Sequence, residues 1–336
     1  MQCGVFDHLD RNDLPLDQFY EQRLRLIETY EKTGFYAYHL AEHHSTPLGM
    51  APSPSVFLAA IAQRTRRLRF GPLVYALPLH HPLRLIEEIC MLDHLSGGRL
   101  EIGFGRGSSP VELAFYGQDP EKAQTTYAEA LEIITQGLSG KAIDFKGERF
   151  TIQNVPLELS PLQKPHPPIW YGVHSVESAE RAARRNWNVV SLDSAADSRL
   201  FFDRYRRVSD ETGKAAGPGP KLGICRFIVV AESGAEALNA ARRAYRRWHR
   251  SFTHLFRLAG TNPAHPRPAE FDRLAAAGQG VAGGVETVAR FVEAQCAESG
   301  ADYLVGQFAF GDLTLAESVC SVELFSRHIM PRLRGT

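Results

Sequence analysis

The sequence predicts an α/β protein built as one (β/α)8 TIM barrel. Three observations carry that prediction. Strand-like and helix-like runs alternate from end to end. They pair, in order, into eight strand-then-helix units. The 336 residues accommodate eight such units in one domain, 1–336. An open doubly wound sheet would need a reversal of strand order that sequence does not display, so it ranks second.

The first unit joins strand-like 5–7 to an amphipathic run over 16–33, where Leu24, Ile27 and Tyr30 recur at helical spacing. The second joins 37–41 to 55–64, and the third joins 68–77 to 82–95. Pro54 and Pro82 suit first-turn positions, where a missing amide proton costs nothing. The remaining units pair 100–104 with 127–138, 169–173 with 175–185, 188–192 with 198–211, 222–231 with 235–249, and 303–307 with 313–327. Two stretches break the rhythm. Residues at about 140–160, beginning near Lys141, alternate Phe145, Phe150 and Ile152 around Lys146-Gly147-Glu148, which predicts a β-hairpin insertion after the fourth unit. Residues 252–284 are rich in Pro, Ala and Gly and too long for a simple connection, which predicts a lid-like insertion before the eighth strand.

Composition excludes several classes. Lys plus Arg and Asp plus Glu both total 38, so no global field favours nucleic acid or an anionic membrane. The basic run from Tyr245 to Arg250 then reads as one helical face. The start of the chain shows no basic-then-apolar leader, and no apolar run reaches spanning length; a cytoplasmic protein is expected. Five scattered cysteines without a CxxC pair read as reduced thiols.

Three motifs fall where strands end, the place where such barrels hold their chemistry. Ala41-Glu42-His43-His44 closes the second strand and offers a carboxylate and two imidazoles, one of which neighbouring positions would turn away from the mouth. No HxxxH or HExxH spacing supports a metal site. Gly103-Phe104-Gly105-Arg106-Gly107 closes the fourth strand. Ser108 occupies the place of the third glycine in a dinucleotide fingerprint, so what remains is a flexible turn presenting Arg106, either as an anion clamp or as the partner of a nearby carboxylate. After the fifth strand, Val173-His174-Ser175-Val176-Glu177-Ser178 opens a helix; its amides and hydroxyls suit a phosphate, though plain capping is the commoner use. His80 and His81, before Pro82, stand at the rim or within the turn.

Taken in order, Ala41-Glu42-His43-His44, Leu77-Pro78 with His81-Pro82 and Glu87-Glu88, Leu92 to Ser96 with Gly98-Arg99, Gly103 with Arg106-Gly107, Phe115-Tyr116-Gly117, and Ser175 to Ala183 carry a resemblance to the bacterial luciferase-like monooxygenase family. The resemblance implies a dimeric barrel that uses reduced FMN from a separate reductase and O2. It would insert one oxygen atom into a small organic substrate through a C4a-peroxyflavin. It implies catalytic roles for His43, with Glu42 and His44 flanking it. It also implies an FMN phosphate held by Arg106, Ser175, Ser178 and the amides of Val173 and His174. Leu73-Val74 falls where members carry a non-prolyl cis peptide beneath the flavin ring. Gly105 stands where luciferase itself has a cysteine, so light emission is not implied. An F420-dependent hydride-transfer enzyme is the alternative, and a non-catalytic flavin-binding barrel comes behind it. A metal-dependent barrel hydrolase is more distant.

Overall fold

In the computed structural model, residues 1–107, 109–140, 142–213 and 219–333 are described. Ser108 and Lys141, used above for the glycine fingerprint and the hairpin start, lie outside them. The first half of the barrel is β1 (Gln2–Asp7), α1 (Leu16–Thr33), β2 (Ala37–Leu40), α2 (Pro54–Arg64), β3 (Arg69–Pro72), β4 (Tyr75–Ala76), α3 (Pro82–Ser96), β5 (Ile102–Gly105), α4 (Pro110–Phe115) and α5 (Ala123–Leu138). An antiparallel hairpin follows, β6 (Ile143–Lys146) and β7 (Thr151–Val155). The second half is β8 (Ile169–Gly172), α6 (Val176–Arg184), β9 (Asn188–Ser191), α7 (Ala195–Thr212), β10 (Leu222–Val230), α8 (Gly234–Phe252), α9 (His254–Leu258), α10 (Phe271–Ala276), β11 (Gly280–Gly283), α11 (Val285–Ser299), β12 (Tyr303–Gln307) and α12 (Leu315–Leu324). A π-turn over Phe325–Ile329 and a last turn, α13 (Met330–Leu333), complete it.

The parallel strands run β3-β2-β1-β12-β10-β9-β8-β5, and the ring closes where β3 meets β5. There Phe70 bridges to Leu100, the Phe70 N–H donates to Arg99 O at 3.2 Å, and the Glu101 N–H donates to Phe70 O at 2.9 Å. Gly71 makes this seam geometrically possible: a Cβ on it would lie 1.6 Å from the Glu101 carbonyl oxygen. Beyond the seam, β4 pairs with β5 across a short break at Leu73–Val74, whose peptide bond is cis. Helices start and stop on local chemistry. Pro54 and Pro82 take first-turn positions, Gly34 and Gly97 end α1 and α3 in the left-handed region, and Thr314 and Glu317 form a capping box on α12.

The helix-to-sheet layer is apolar, while the barrel interior holds a buried polar cluster. Glu101, 1% exposed, accepts from Tyr36 Oη at 2.6 Å, from Arg69 Nε at 2.5 Å and from the Trp170 indole N–H. Above it His39 meets the Tyr303 hydroxyl at 2.9 Å. Hydrogen bonds within the cluster keep Glu101 dry, while His39 Nδ1 stays buried without a partner.

Two expectations change. The stretch 252–284 is not a lid throughout: it carries α9 and α10, and its last residues form β11, parallel to the C-terminal half of β10 from Phe227↔Gly280 to Val230↔Gly283. Gly280-Val281-Ala282-Gly283 has a single bulky apolar residue, so no period-two signal marks it as a strand. The helix α11 also lies outside the eight expected units, although Val288, Ala289, Val292 and Cys296 bury one face at helical spacing. No described helix is long and apolar enough to cross a membrane.

Burial pushes His39 down to about 4. Between that value and the ordinary 6.5 the unfolded chain binds a proton that the folded one refuses, so stability is full above 6.5 and falls as pH drops towards 4, by up to about 1.4 kcal/mol per pH unit. We expect His39→Gln, which retains a partner for Tyr303, to flatten the urea-midpoint profile over that window; an unchanged profile would refute this.

Candidate active site

The C-terminal ends of the strands surround a cavity of about 190 Å³. Phe6 and His8 reach it from the end of β1, His43 from beyond β2, Glu112 from α4, and His174 and Leu192 from beyond β8 and β9. Phe227 of β10, Gln307 of β12, Trp248 and Phe252 of α8, and the segment 263–267 close the other side. The wall is mostly aromatic and aliphatic, with a few polar groups converging on it, which is the usual make-up of a small-molecule site.

The Glu-His-His motif divides. Glu42, 7% exposed, is tied down by the His44 Nε2–H at 2.8 Å, by His80 Nε2 at 2.9 Å and by the Ala76 N–H at 3.0 Å. Burial alone would raise its carboxyl, but these three donors outweigh that and hold it below the usual range. Burial likewise opposes the charge on His80, and the Glu42 carboxylate more than restores it. With Nε2 donating to Glu42, His44 Nδ1 is left to accept from the Tyr116 hydroxyl at 2.8 Å. Neither Glu42 nor His44 lines the cavity, and both His44 nitrogens are engaged. His44 is thus the imidazole turned away from the mouth, as alternation along the chain anticipates, and Glu42 turns away with it. Three consecutive positions cannot face one way, and the outer two are drawn into the network that fixes β4 and its following turn. His80 belongs to that network as well, and His81 packs its ring edge on Phe150.

His43 faces the cavity. Its Nδ1 lies 3.1 Å from the Glu112 carboxylate, so Nδ1–H donates and Nε2 becomes the basic nitrogen. Gly49 lets this loop close over it, since a Cβ there would come 2.6 Å from the His43 Cβ. His8 stacks on His43 with centroids 5.7 Å apart. Burial, then the charges of His43 and Arg267, push His8 well below its ordinary value, so it stays neutral. Sequence reading missed Glu112, although Ser109-Pro110-Val111-Glu112 is a helix-start signature and the Ser109 hydroxyl does accept from the Glu112 N–H, at 3.3 Å. His8 carries no local signal.

Arg106 follows β5, and Ser175 follows the neighbouring β8, so the two turns are adjacent on the rim. Arg106 is exposed and engages no hydrogen bond or ion pair among the described residues. Ser175 and Ser178 form a reciprocal capping box: the Ser178 N–H donates to Ser175 Oγ at 3.2 Å and the Ser175 N–H to Ser178 Oγ at 3.1 Å. The expected amide donors fare less well. The Val173 N–H is spent on Val190 O at 3.0 Å, because that residue still belongs to the ladder between β8 and β9, and the His174 N–H donates to Ser178 Oγ at 3.2 Å. The His174 ring instead pairs through Nδ1 with Asp193 at 2.9 Å and stacks on His265. Leu73 and Val74 sit opposite Gly103 and Gly105; a Cβ on Gly105 would meet Val74 Cγ2 at 2.3 Å, so the glycines make room for that side chain.

A family model described as luciferase-like monooxygenase matches residues 1–303. The chain is 43% identical over 330 residues to the uncharacterized protein y4wF of Sinorhizobium fredii, covering 98% of this chain and 96% of that protein. It is 28% identical to 4-hydroxyprotoasukamycin monooxygenase of Streptomyces nodosus subsp. asukaensis, over 93% of this chain and 86% of the relative. Against the oxygenase component of the flavin-dependent trigonelline monooxygenase of Acinetobacter baylyi, identity is 30%, over 56% of this chain and 53% of the relative. Among solved structures, monooxygenase RslO1 from Streptomyces bottropensis superposes with a TM-score of 0.89 at 25% identity, covering 99% of both chains. The oxygenating constituent of 3,6-diketocamphane monooxygenase from Pseudomonas putida, in complex with FMN, gives 0.80 at 20% identity, covering 99% of this chain and 98% of that one, and shares the fold. This chain is a member of the luciferase-like monooxygenase family, oxidoreductases that incorporate molecular oxygen.

Proposed function

We propose that this chain is the oxygenase component of a two-component system, taking reduced FMN from a separate flavin reductase and inserting one oxygen atom from O2 into a small organic substrate. The observation that carries the proposal is the Glu112–His43 pair on the wall of an apolar cavity at the barrel mouth. The relative whose name includes both flavin dependence and an oxygenase component supports the division into two proteins. The homodimer is carried over from the family resemblance, and the cytoplasmic setting from five cysteines that are all free thiols.

The residues present fit FMN. Arg106, exposed and unpaired among the described residues beside the start of α6, offers a bidentate cation and a helix N-terminus to a phosphate. The hydroxyls of Ser175 and Ser178 stand at the same helix start, with the amide of His174 released if Ser178 turns to the ligand. Leu73 and Val74, packed against Gly103 and Gly105, would form the platform for the ring. Reduced FMN, when bound, supplies the electrons that activate O2. The chain's part is to hold the ring, keep water out with Phe227, Trp248 and Phe252, and move a proton at His43 Nε2 while Glu112 fixes the imidazole. Glu42 and His44 act as positioning residues beneath it.

Removing a charged hydrogen-bond donor to a phosphate costs about 2 to 3 kcal/mol, so Arg106→Ala is expected to weaken anaerobic binding of reduced FMN by that amount. Unchanged affinity would remove Arg106 from the phosphate site. For His43→Ala the expected phenotype is different: FMN binds as before, but hydrogen peroxide accumulates in place of oxygenated product. Full coupling of flavin oxidation to product in that variant would deny His43 its role.

A further inference from the structure

Among the described residues, the cavity wall carries one arginine, which neither the cofactor site nor the Glu112–His43 pair uses. Arg267 belongs to the segment between α9 and α10 and folds back over the mouth to line the cavity beside His8 and Gln307. Its backbone is pinned from α8: His249 Nε2 donates to the Arg267 carbonyl at 3.1 Å, and the Tyr245 hydroxyl to the Pro268 carbonyl at 2.9 Å. The guanidinium is held at one corner only, with Nη1–H donating to Leu192 O at 3.2 Å. A guanidinium has five N–H donors, and no ion pair engages this one among the described residues. Asp193, whose carboxyl the Arg267 charge helps to hold down, already carries the His174 imidazole at 2.9 Å.

The surroundings decide what such a group can do. On the same side of the cavity as Arg267 stand the rings of Phe227, Trp248 and Phe252, with Phe227 and Trp248 buried in mutual edge-to-face contact at 4.8 Å. A substrate filling this space displaces the water that solvates the free N–H donors. A wholly apolar guest would leave those donors unpaired in an apolar box, whereas an anionic oxygen would replace the lost water with a charge-assisted bond. The aromatic walls and the fixed cation therefore select different parts of one molecule.

We propose that Arg267 is the specificity-determining residue of this enzyme and that its substrate is an apolar ring compound bearing a carboxylate or comparable anionic oxygen. The proposal deepens the flavin-monooxygenase reading and rests on it for the cofactor. Its test therefore reads FMN binding and acid preference separately.

Calorimetry on the FMN-loaded chain would compare 2-naphthoate with its uncharged amide, in wild type, Arg267→Lys and Arg267→Met, after circular dichroism and melting confirm that each variant folds. The expected result is a preference for the acid of about tenfold in wild type, reduced in Arg267→Lys and abolished in Arg267→Met, with FMN affinity equal in all three. Equal binding of acid and amide by wild type, absence of binding by either, or a preference that survives in Arg267→Met would overturn the proposal. Loss of FMN binding confined to Arg267→Met would do so too, by giving Arg267 to the cofactor. Failure of the wild-type chain to bind FMN would instead sink the flavin reading.

Discussion

The buried Glu42 carboxylate is the constraint on which the site depends. A charge at 7% exposure is tolerable only when fully hydrogen-bonded, and its three donors come from three places: His44 on its own loop, the Ala76 amide of β4, and His80 on the turn after β4. Satisfying Glu42 thus fixes the end of β2 against β4, and β4 against the seam with β5. His43, held between two anchored neighbours, has the cavity as its remaining direction. Removing the carboxylate would free the loop, the turn and the histidine together.

The mouth of the barrel has two halves with different physics. One half is built from strand ends: His43 and Glu112, the Arg106 turn and the capped start of α6, all placed by the parallel register of β2, β5 and β8. The other is built from α8 and the segment after α9, where side chain-to-carbonyl bonds hold Arg267 and Pro268 against the helix and the guanidinium against Leu192. The first half carries what the resemblance implies for the family. The second belongs to the part of the chain that shaped no family motif, and it sets the apolar walls and the stray cation that a substrate meets.

Most of the ring was legible because each barrel unit repeats one pattern: an apolar strand, a turn, an amphipathic helix. The register of β5 on β8 then makes Arg106 and Ser175 neighbours, which spacing alone had suggested. Where reading stopped, the reason is physical. Strand β11 is nearly all glycine and alanine, so it has no period to read. The division of Glu42, His43 and His44 into two buried anchors and one cavity residue depends on His80 and Tyr116, both more than 35 residues further along the chain. The amide of Val173 is consumed by the ladder to Val190, a pairing partner that the strand's own residues do not reveal. Glu112 was written plainly in its capping pattern, but its meeting with His43 spans 69 positions and required the fold.

If the barrel mouth works as proposed, it holds reduced flavin and controls its encounter with oxygen. Anaerobic mixing of the chain with reduced FMN, followed by a pulse of oxygenated buffer, tests it through the delay before oxidised-flavin absorbance appears. The expected delay is far longer than that of free reduced FMN under the same conditions. Oxidation as fast as that of free flavin would contradict it.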